Sequence, residues 1–470
     1  MSKGYRLKRV RWSANLLFWV LIVLIGAVLA GCGSTNYSIS GTVTSGGAPL
    51  HSVTITLSDG ASVGGATFRI TQTDVNGNYY FGDVPIGSYT VTPSLGNFNF
   101  SPSFRYCYLN GINATGFNFS VSVESWITSS DYTIYLRNDG TAWSWGNNGN
   151  GQLGDGGTVN SVIPVQVYGL LGMTAVAVGQ AHSVALMVGG EVWTWGLNSD
   201  GQLGNGTATD SAYPVQVTGV TDVIAVAAGY DHTVAAKSDG TVWTWGNNSN
   251  GQLGNGTTVG TSTPVQVSGL TGITSVAAGY KYTLASRNDG TIWAWGMNSN
   301  GQLGNGTTSD SSIPTQVSGL TNIVAITAGY SHAAAISFNQ TAWAWGSNGS
   351  GQLGDGTTAD RATPVQVSGL TNAVAITAGY DHTVAMDIGG SAWTWGCNSV
   401  GQLGDGTTNN RSTPAVVNGV TDLIAVAAGY QDTIALVIDG TAWAWGDNSY
   451  GQLGDETTTN RLTPVSITLP

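Results

Sequence analysis

The chain has 470 residues, of which 41% are hydrophobic and only 9% charged, with 69 glycines and a formal net charge of −12. That length exceeds a usual single core, and the apolar share excludes wholesale disorder, so more than one packed unit is expected. Five of the 14 Lys and Arg residues fall in the first eleven positions, leaving nine basic against 26 acidic groups downstream, a net of −17 that repels phosphate backbones and argues against nucleic acid as a partner.

Lys3, Arg6, Lys8, Arg9 and Arg11 precede an apolar run from Leu16 to Ala30, the pattern of an export signal. The run ends in Leu29-Ala30-Gly31-Cys32, which resembles the bacterial lipoprotein signal. The resemblance implies a signal peptide over 1–31, lipidation of Cys32 and a lipidated linker over 32–36. Gly33, where Asp would suggest inner-membrane retention, implies a lipid anchor in the outer membrane, on its periplasmic or cell-surface side. An uncleaved anchor helix is the alternative, and it too places the body outside the cytoplasm.

Residues 37–120 alternate in runs such as Tyr37 to Thr44, Ser52 to Leu57, Thr67 to Gln72 and Ser88 to Thr92, separated by Gly, Pro, Asn and Asp. This predicts a small β-sandwich built as a strand meander. Its Asp74-Val75-Asn76-Gly77-Asn78 stretch reads as a hairpin turn with Gly77 at positive φ rather than a calcium loop, because no bidentate acid follows. The stretch from Thr73 to Phe81, with Val84-Pro85-Ile86-Gly87-Ser88-Tyr89, resembles carboxypeptidase-regulatory-like domains. No lysine lies between residues 9 and 236, which excludes a Lys–Asn isopeptide lock. The domain reads as a spacer.

From 122 to 470 the chain is seven copies of one 50-residue unit. Gly-Gln-Leu-Gly begins at 151, 201, 251, 301, 351, 401 and 451, and each copy has one Trp-x-Trp-Gly and one proline at fixed places. Such a period means a propeller or solenoid. The Gly density and period-2 pattern exclude helices, so the expected fold is all-β: a seven-bladed β-propeller of short antiparallel strands. Residues i and i+2 of a strand share a face, so both indoles of a pair point at one neighbouring surface. In the third copy the strands are expected at Val223 to Ala228, Thr233 to Ala236, Thr241 to Trp245 and Val265 to Val267. Whether a strand is exchanged between the chain ends is left open.

The segment Asp239 to Gly254, Asp-Gly-Thr-x-Trp-x-Trp-Gly-x-Asn-x-x-Gly-Gln-Leu-Gly, resembles the repeat of the regulator-of-chromosome-condensation family. The resemblance implies a propeller acting mainly as a protein-binding platform. The family's guanine-nucleotide exchange activity is not expected here, since export and the uninterrupted period depart from it.

The first-to-second and third-to-fourth connections of each blade share one end. There the repeats differ from one another, and the first-to-second turns hold Tyr230, Tyr280, Tyr330, Tyr380 and Tyr430. With Asp231, Lys281, Asp381 and, in the other loop, Tyr450, they form the candidate partner-binding surface, because Tyr gives large contact area for little entropy. The alternative is that the tyrosines only cap blade ends. His182, His232, His332 and His382 share one repeat position and read as hydrogen-bonded blade-end residues, not a metal site. The Asn148 to Asn448 series and Gly-Gln-Leu-Gly read as loop-shaping. Cys107 and Cys397 lie 290 positions apart, and no bridge between them is expected. No catalytic set, cofactor or metal is indicated. The expected protein is a monomer that binds an unknown protein partner, with a polysaccharide as the alternative ligand.

Overall fold

The computed structural model describes residues 37–45, 48–49, 53–59, 68–74, 76–94, 100–101, 105–121, 127–137 and 139–470, which fall into two units divided at Val123 and Glu124. The export signal and Cys32 lie outside the described residues.

The first unit holds β1 (Tyr37–Ser45), β2 (Ala48–Pro49), β3 (Thr54–Asp59), β4 (Phe68–Gln72), β5 (Asn78–Val84), β6 (Gly87–Ser94), β7 (Phe100–Ser101), β8 (Arg105–Leu109) and β9 (Phe119–Val121). One sheet runs β2-β1-β9-β7 with β5 also on β1, and the other runs β4-β3-β6-β8. Alternating residues of both sheets, among them Ile39, Ile55, Leu57, Phe81, Val91 and Cys107, bury into one core. This is the expected sandwich, but not a meander: β1 lies parallel to β9, which follows it by more than seventy residues. The Asp74–Asn78 turn is likewise not a hairpin, since β4 and β5 pair in different sheets. It is an Asx turn that carries the chain from one sheet to the other. Asp74 Oδ1 accepts from the Asn76 and Asn78 amides at 2.9 Å, and Gly77 takes φ +72°.

The second unit is seven four-stranded antiparallel sheets. The first holds β10 (Ile127–Ser129), β11 (Tyr132–Leu136), β12 (Ala142–Gly146) and β13 (Ser161–Gln166), and each later blade repeats the pattern. The third blade, for example, has strands at Val223–Ala228, His232–Lys237, Val242–Gly246 and Thr261–Gln266. The fourth strand begins earlier than the sequence suggested, because Pro264 does not interrupt it. That strand is the outer edge of its sheet, where a missing amide donor leaves no ladder bond unmade and discourages pairing with other chains. Every blade uses four consecutive strands, so no strand is exchanged at closure.

Both indoles of each pair face the preceding blade. The second one, Trp145 through Trp445, is fully buried, and its Nε1 donates to the carbonyl of the Gln in the preceding Gly-Gln-Leu-Gly. Trp195 reaches Gln152 at 2.8 Å, and Trp145 closes the ring on Gln452 at 2.9 Å. The same carbonyl accepts a hydroxyl from the next blade, as Thr233 to Gln202 at 2.8 Å. Blade 5 is the exception, with Ala333 at that position. The Asn series shapes the same loop: Asn248 Oδ1 accepts from the Leu253 amide at 2.9 Å, and its Nδ2 donates to the Thr257 and Val259 carbonyls.

The turn between second and third strands needs a left-handed residue. Six blades supply Gly there with φ between 73° and 89°, but blade 5 has Gln340 at 65°. Glu456 at 64° similarly stands where the other six blades have Gly. A side chain in this region carries roughly 1–2 kcal/mol of strain, partly offset by the unfolded-state freedom of Gly. Gln340→Gly and Glu456→Gly are therefore each expected to raise stability by about 0.5–1 kcal/mol, read as a rise in the denaturant midpoint; a fall at both positions would refute the strain argument.

Candidate functional site

The first strand of each blade lies innermost and is mostly Val, Ala, Ile and Thr, followed by Gly in blades 2 to 7 and ending in Ser129 in blade 1. Glycine is required there by close approach: a Cβ on Gly229 would sit 2.2 Å from His232 Cε1 and 2.7 Å from the Gly279 carbonyl oxygen. The turn that follows is bonded to its neighbour around the axis, Tyr230 N to Gly279 O and Tyr280 N to Tyr330 O, both at 3.2 Å.

These turns bring the five tyrosines into one half-buried rosette. Ring centroids are 4.7 Å apart for Tyr230 and Tyr280, 4.2 Å for Tyr280 and Tyr330, 4.1 Å for Tyr330 and Tyr380, and 4.4 Å for Tyr380 and Tyr430. Ser130 and Gln180 complete the circle in blades 1 and 2. The rosette and the Ala-Gly ends of the inner strands line an axial cavity of about 110 Å³. Burial, reinforced by Tyr380 and Asp131, pushes the Tyr430 phenol up to about 12, and burial also raises Tyr230 and Tyr330. These three phenols therefore stay uncharged in neutral water.

Beside it stand Asp131, Asp231 and Asp381, one repeat position after the tyrosines and half-buried. Burial, with Asp447 nearby, pushes Asp131 up to about 6, and burial with Asp200 nearby does the same for Asp231 against the pull of Lys281. Asp381 is also raised by burial, opposed by the hydrogen bond from Gln352 Nε2 at 3.1 Å. Lys281 Nζ lies 5.2 Å from the centroid of the Tyr280 ring.

Behind the turns lie the four histidines, fully buried. Each Nε2 contacts a threonine of the next blade: His182 with Thr233, His232 with Thr283 and His332 with Thr383 at 3.0 Å, and His382 with Thr433 at 3.1 Å. Each of those threonines donates its own proton to a Gln carbonyl, so the imidazole must donate through Nε2 and keep a bare Nδ1. Tyr282 replaces His in blade 4, where the facing residue is Ala333, and its hydroxyl donates instead to the His332 carbonyl.

The repeats match known patterns once this geometry is in view. Residues 139–186, 189–236 and 239–286 match the regulator of chromosome condensation (RCC1) repeat, and 265–470 match the RCC1-like domain. From 139 to 470 the propeller thus carries matches of RCC1 type. The RCC1-type unit is similar in fold to human WBSCR16, at 22% identity and TM-score 0.65, covering 70% of this chain and 95% of that one. It is similar also to yeast RCC1 (Prp20) solved with Kap60 bound, at 22% identity and TM-score 0.64, covering 74% and 86%. A second structure of Prp20p from Saccharomyces cerevisiae aligns at 22% identity with TM-score 0.62, covering 72% and 88%. No curated protein matches the chain.

On this RCC1-type scaffold the residues expected from sequence separate into two groups. The five tyrosines, Asp231, Lys281 and Asp381 lie together around the axis. Tyr450 does not join them: it stands in the third-to-fourth loop of blade 7, 39% exposed. Sequence reasoning left out Asp131 from the candidate surface, although it shares the repeat position of Asp231 and Asp381. It also left out the opposite face, where Phe338, Ile388 and Ile438 of blades 5 to 7 are exposed at one repeat position.

Proposed function

We propose that this chain is an exported, lipid-anchored protein, held in the outer membrane through Cys32, whose propeller binds a protein partner through the tyrosine-centred loop face. The β-sandwich, read as a carboxypeptidase-regulatory-like domain, acts as a spacer. The observation that carries this is the rosette itself: a half-buried aromatic centre ringed by loops that differ from blade to blade, the anatomy of an interface hot spot. The co-structure of Kap60 with yeast RCC1 supports a platform role for such propellers. A polysaccharide is less favoured, since a sugar stacks on a broad exposed aromatic platform and here the five rings line a cavity of only about 110 Å³. No enzymatic role is proposed.

The test is capture from detergent-solubilised envelope with the full-length protein beside a variant carrying Tyr→Leu at 230, 280, 330, 380 and 430, with folding checked by circular dichroism. A protein retained by the first is expected to be lost at least tenfold from the second. Equal retention would move the interface elsewhere, the Phe338–Ile388–Ile438 arc first.

A further inference from the structure

We propose that the axial cup formed by the tyrosine rosette receives one cationic side chain, an arginine or lysine, projecting from the partner; this rests on the platform reading and names what its centre recognises. The cavity, at about 110 Å³, is well below the roughly 300–1,000 Å³ of a small-molecule pocket, so it suits the head group of one side chain rather than a whole ligand. Five tyrosines line it beside the Ala and Gly of the inner strands, and a ring face turned to the cavity attracts cations. The rosette already uses this chemistry in Lys281 over Tyr280.

Charge points the same way. Asp131 and Asp231 are close enough to the rosette to act electrostatically on the Tyr230 phenol, and Asp131 also acts on Tyr430. These two carboxylates face further carboxylates, Asp447 and Asp200. Cations on this end of the propeller are mostly committed elsewhere: Arg361, Arg411 and Arg461 are tied to Asp355, Asp405 and Asp455 at 2.9, 2.8 and 2.6 Å. Lys281 is the sole cation in the first-to-second turns of the described residues. Half-desolvated carboxylates around the aromatic cup repel an acidic knob and favour a positive one over a neutral one.

The probe is a hexa-arginine peptide titrated calorimetrically into the full-length protein in non-ionic detergent at physiological salt, with hexa-citrulline as the uncharged match. Binding of hexa-arginine is expected, weakened at least tenfold by the triple variant Asp131→Asn, Asp231→Asn, Asp381→Asn and about fivefold by Tyr280→Leu with Tyr330→Leu. The opposite-face triple variant Asp139→Asn, Asp239→Asn, Asp289→Asn is expected to change it less than twofold. The Asn replacements keep shape, so they report charge even where a Tyr variant fails to fold. Absence of binding, equal binding of hexa-citrulline, or equal loss in the opposite-face variant would overturn the proposal. A partner that needs the tyrosines but is neither displaced by hexa-arginine nor weakened by the three Asn changes would leave the platform standing and remove the cationic knob. Retention of the partner by the five-tyrosine variant would remove the platform instead.

Discussion

Trp345→Phe is expected to destabilise the propeller more than Trp245→Phe, by about 1–3 kcal/mol, the penalty for leaving a buried acceptor unpaired. Both indoles are fully buried and both donate to a Gln carbonyl at 2.9 Å. At Gln202 the carbonyl keeps Thr233 when the indole is lost. At Gln302 it keeps nothing, because Ala333 faces it in place of a hydroxyl. Truncation to Ala at either site adds the loss of the ring and a cavity, for a total of roughly 3–5 kcal/mol. Guanidinium unfolding of the two Phe variants side by side gives the comparison directly; identical midpoints would mean that the Thr233 hydroxyl does not compensate for the lost indole.

Acid is expected to weaken the fold well before the carboxylates of the surface titrate. Burial lowers His182, His232 and His332 to about 3 and His382 to about 4, against an unfolded value near 6.5. Below 6.5 the unfolded chain takes up protons that the folded chain refuses, so stability falls as pH falls, by about 1.4 kcal/mol per pH unit for each histidine. Asp131 and Asp231 oppose this. Their folded values near 6 exceed the unfolded value near 3.9, so between those limits the folded state binds the extra protons. Asp381 shifts in the same sense. The four histidines still outnumber them, leaving a net uptake of about one to two protons on unfolding and a loss of roughly 1.5–3 kcal/mol per unit between pH 6 and 4. Thermal midpoints from pH 7.5 to 4 report it, and His232→Gln, whose Nε2 also donates, is expected to flatten the slope by about one proton. A flat profile from pH 7 to 5, or an unchanged slope in that variant, would contradict the assignment.

How far the sequence reveals this molecule depends on which forces are local. The 50-residue period, the Trp pairs and the Asp-Gly turns are visible in the chain, so the blade, its strand count and the shared face of its two indoles follow from the chain alone. Pro264 misled at the fourth strand, because edge position, which makes proline harmless, is a property of the assembled sheet. In the sandwich, the β1–β9 pairing is parallel and long-range, and no short alternation pattern signals it. At the site, the variability of the turns picked out the end of the propeller where the tyrosines gather. What sequence does not show is how tightly they converge: residues at equal intervals along the chain meet at the axis, where the tyrosines pack ring against ring. The His–Thr link was legible in principle, as a match between one position of a copy and the next position of the following copy, displaced by 51 residues.

That link also bears on how seven nearly identical blades find their proper neighbours. A ring that skipped or shuffled a blade would satisfy almost every Trp–Gln contact, since those are the same throughout. It would not satisfy the paired position at Ala333: a histidine set against it buries a donor with no acceptor. Such a mismatch carries a penalty of about 1–3 kcal/mol. The departure from the repeat at Ala333 thus works as a parity check on assembly, rejecting miswired rings that the repeat itself would tolerate.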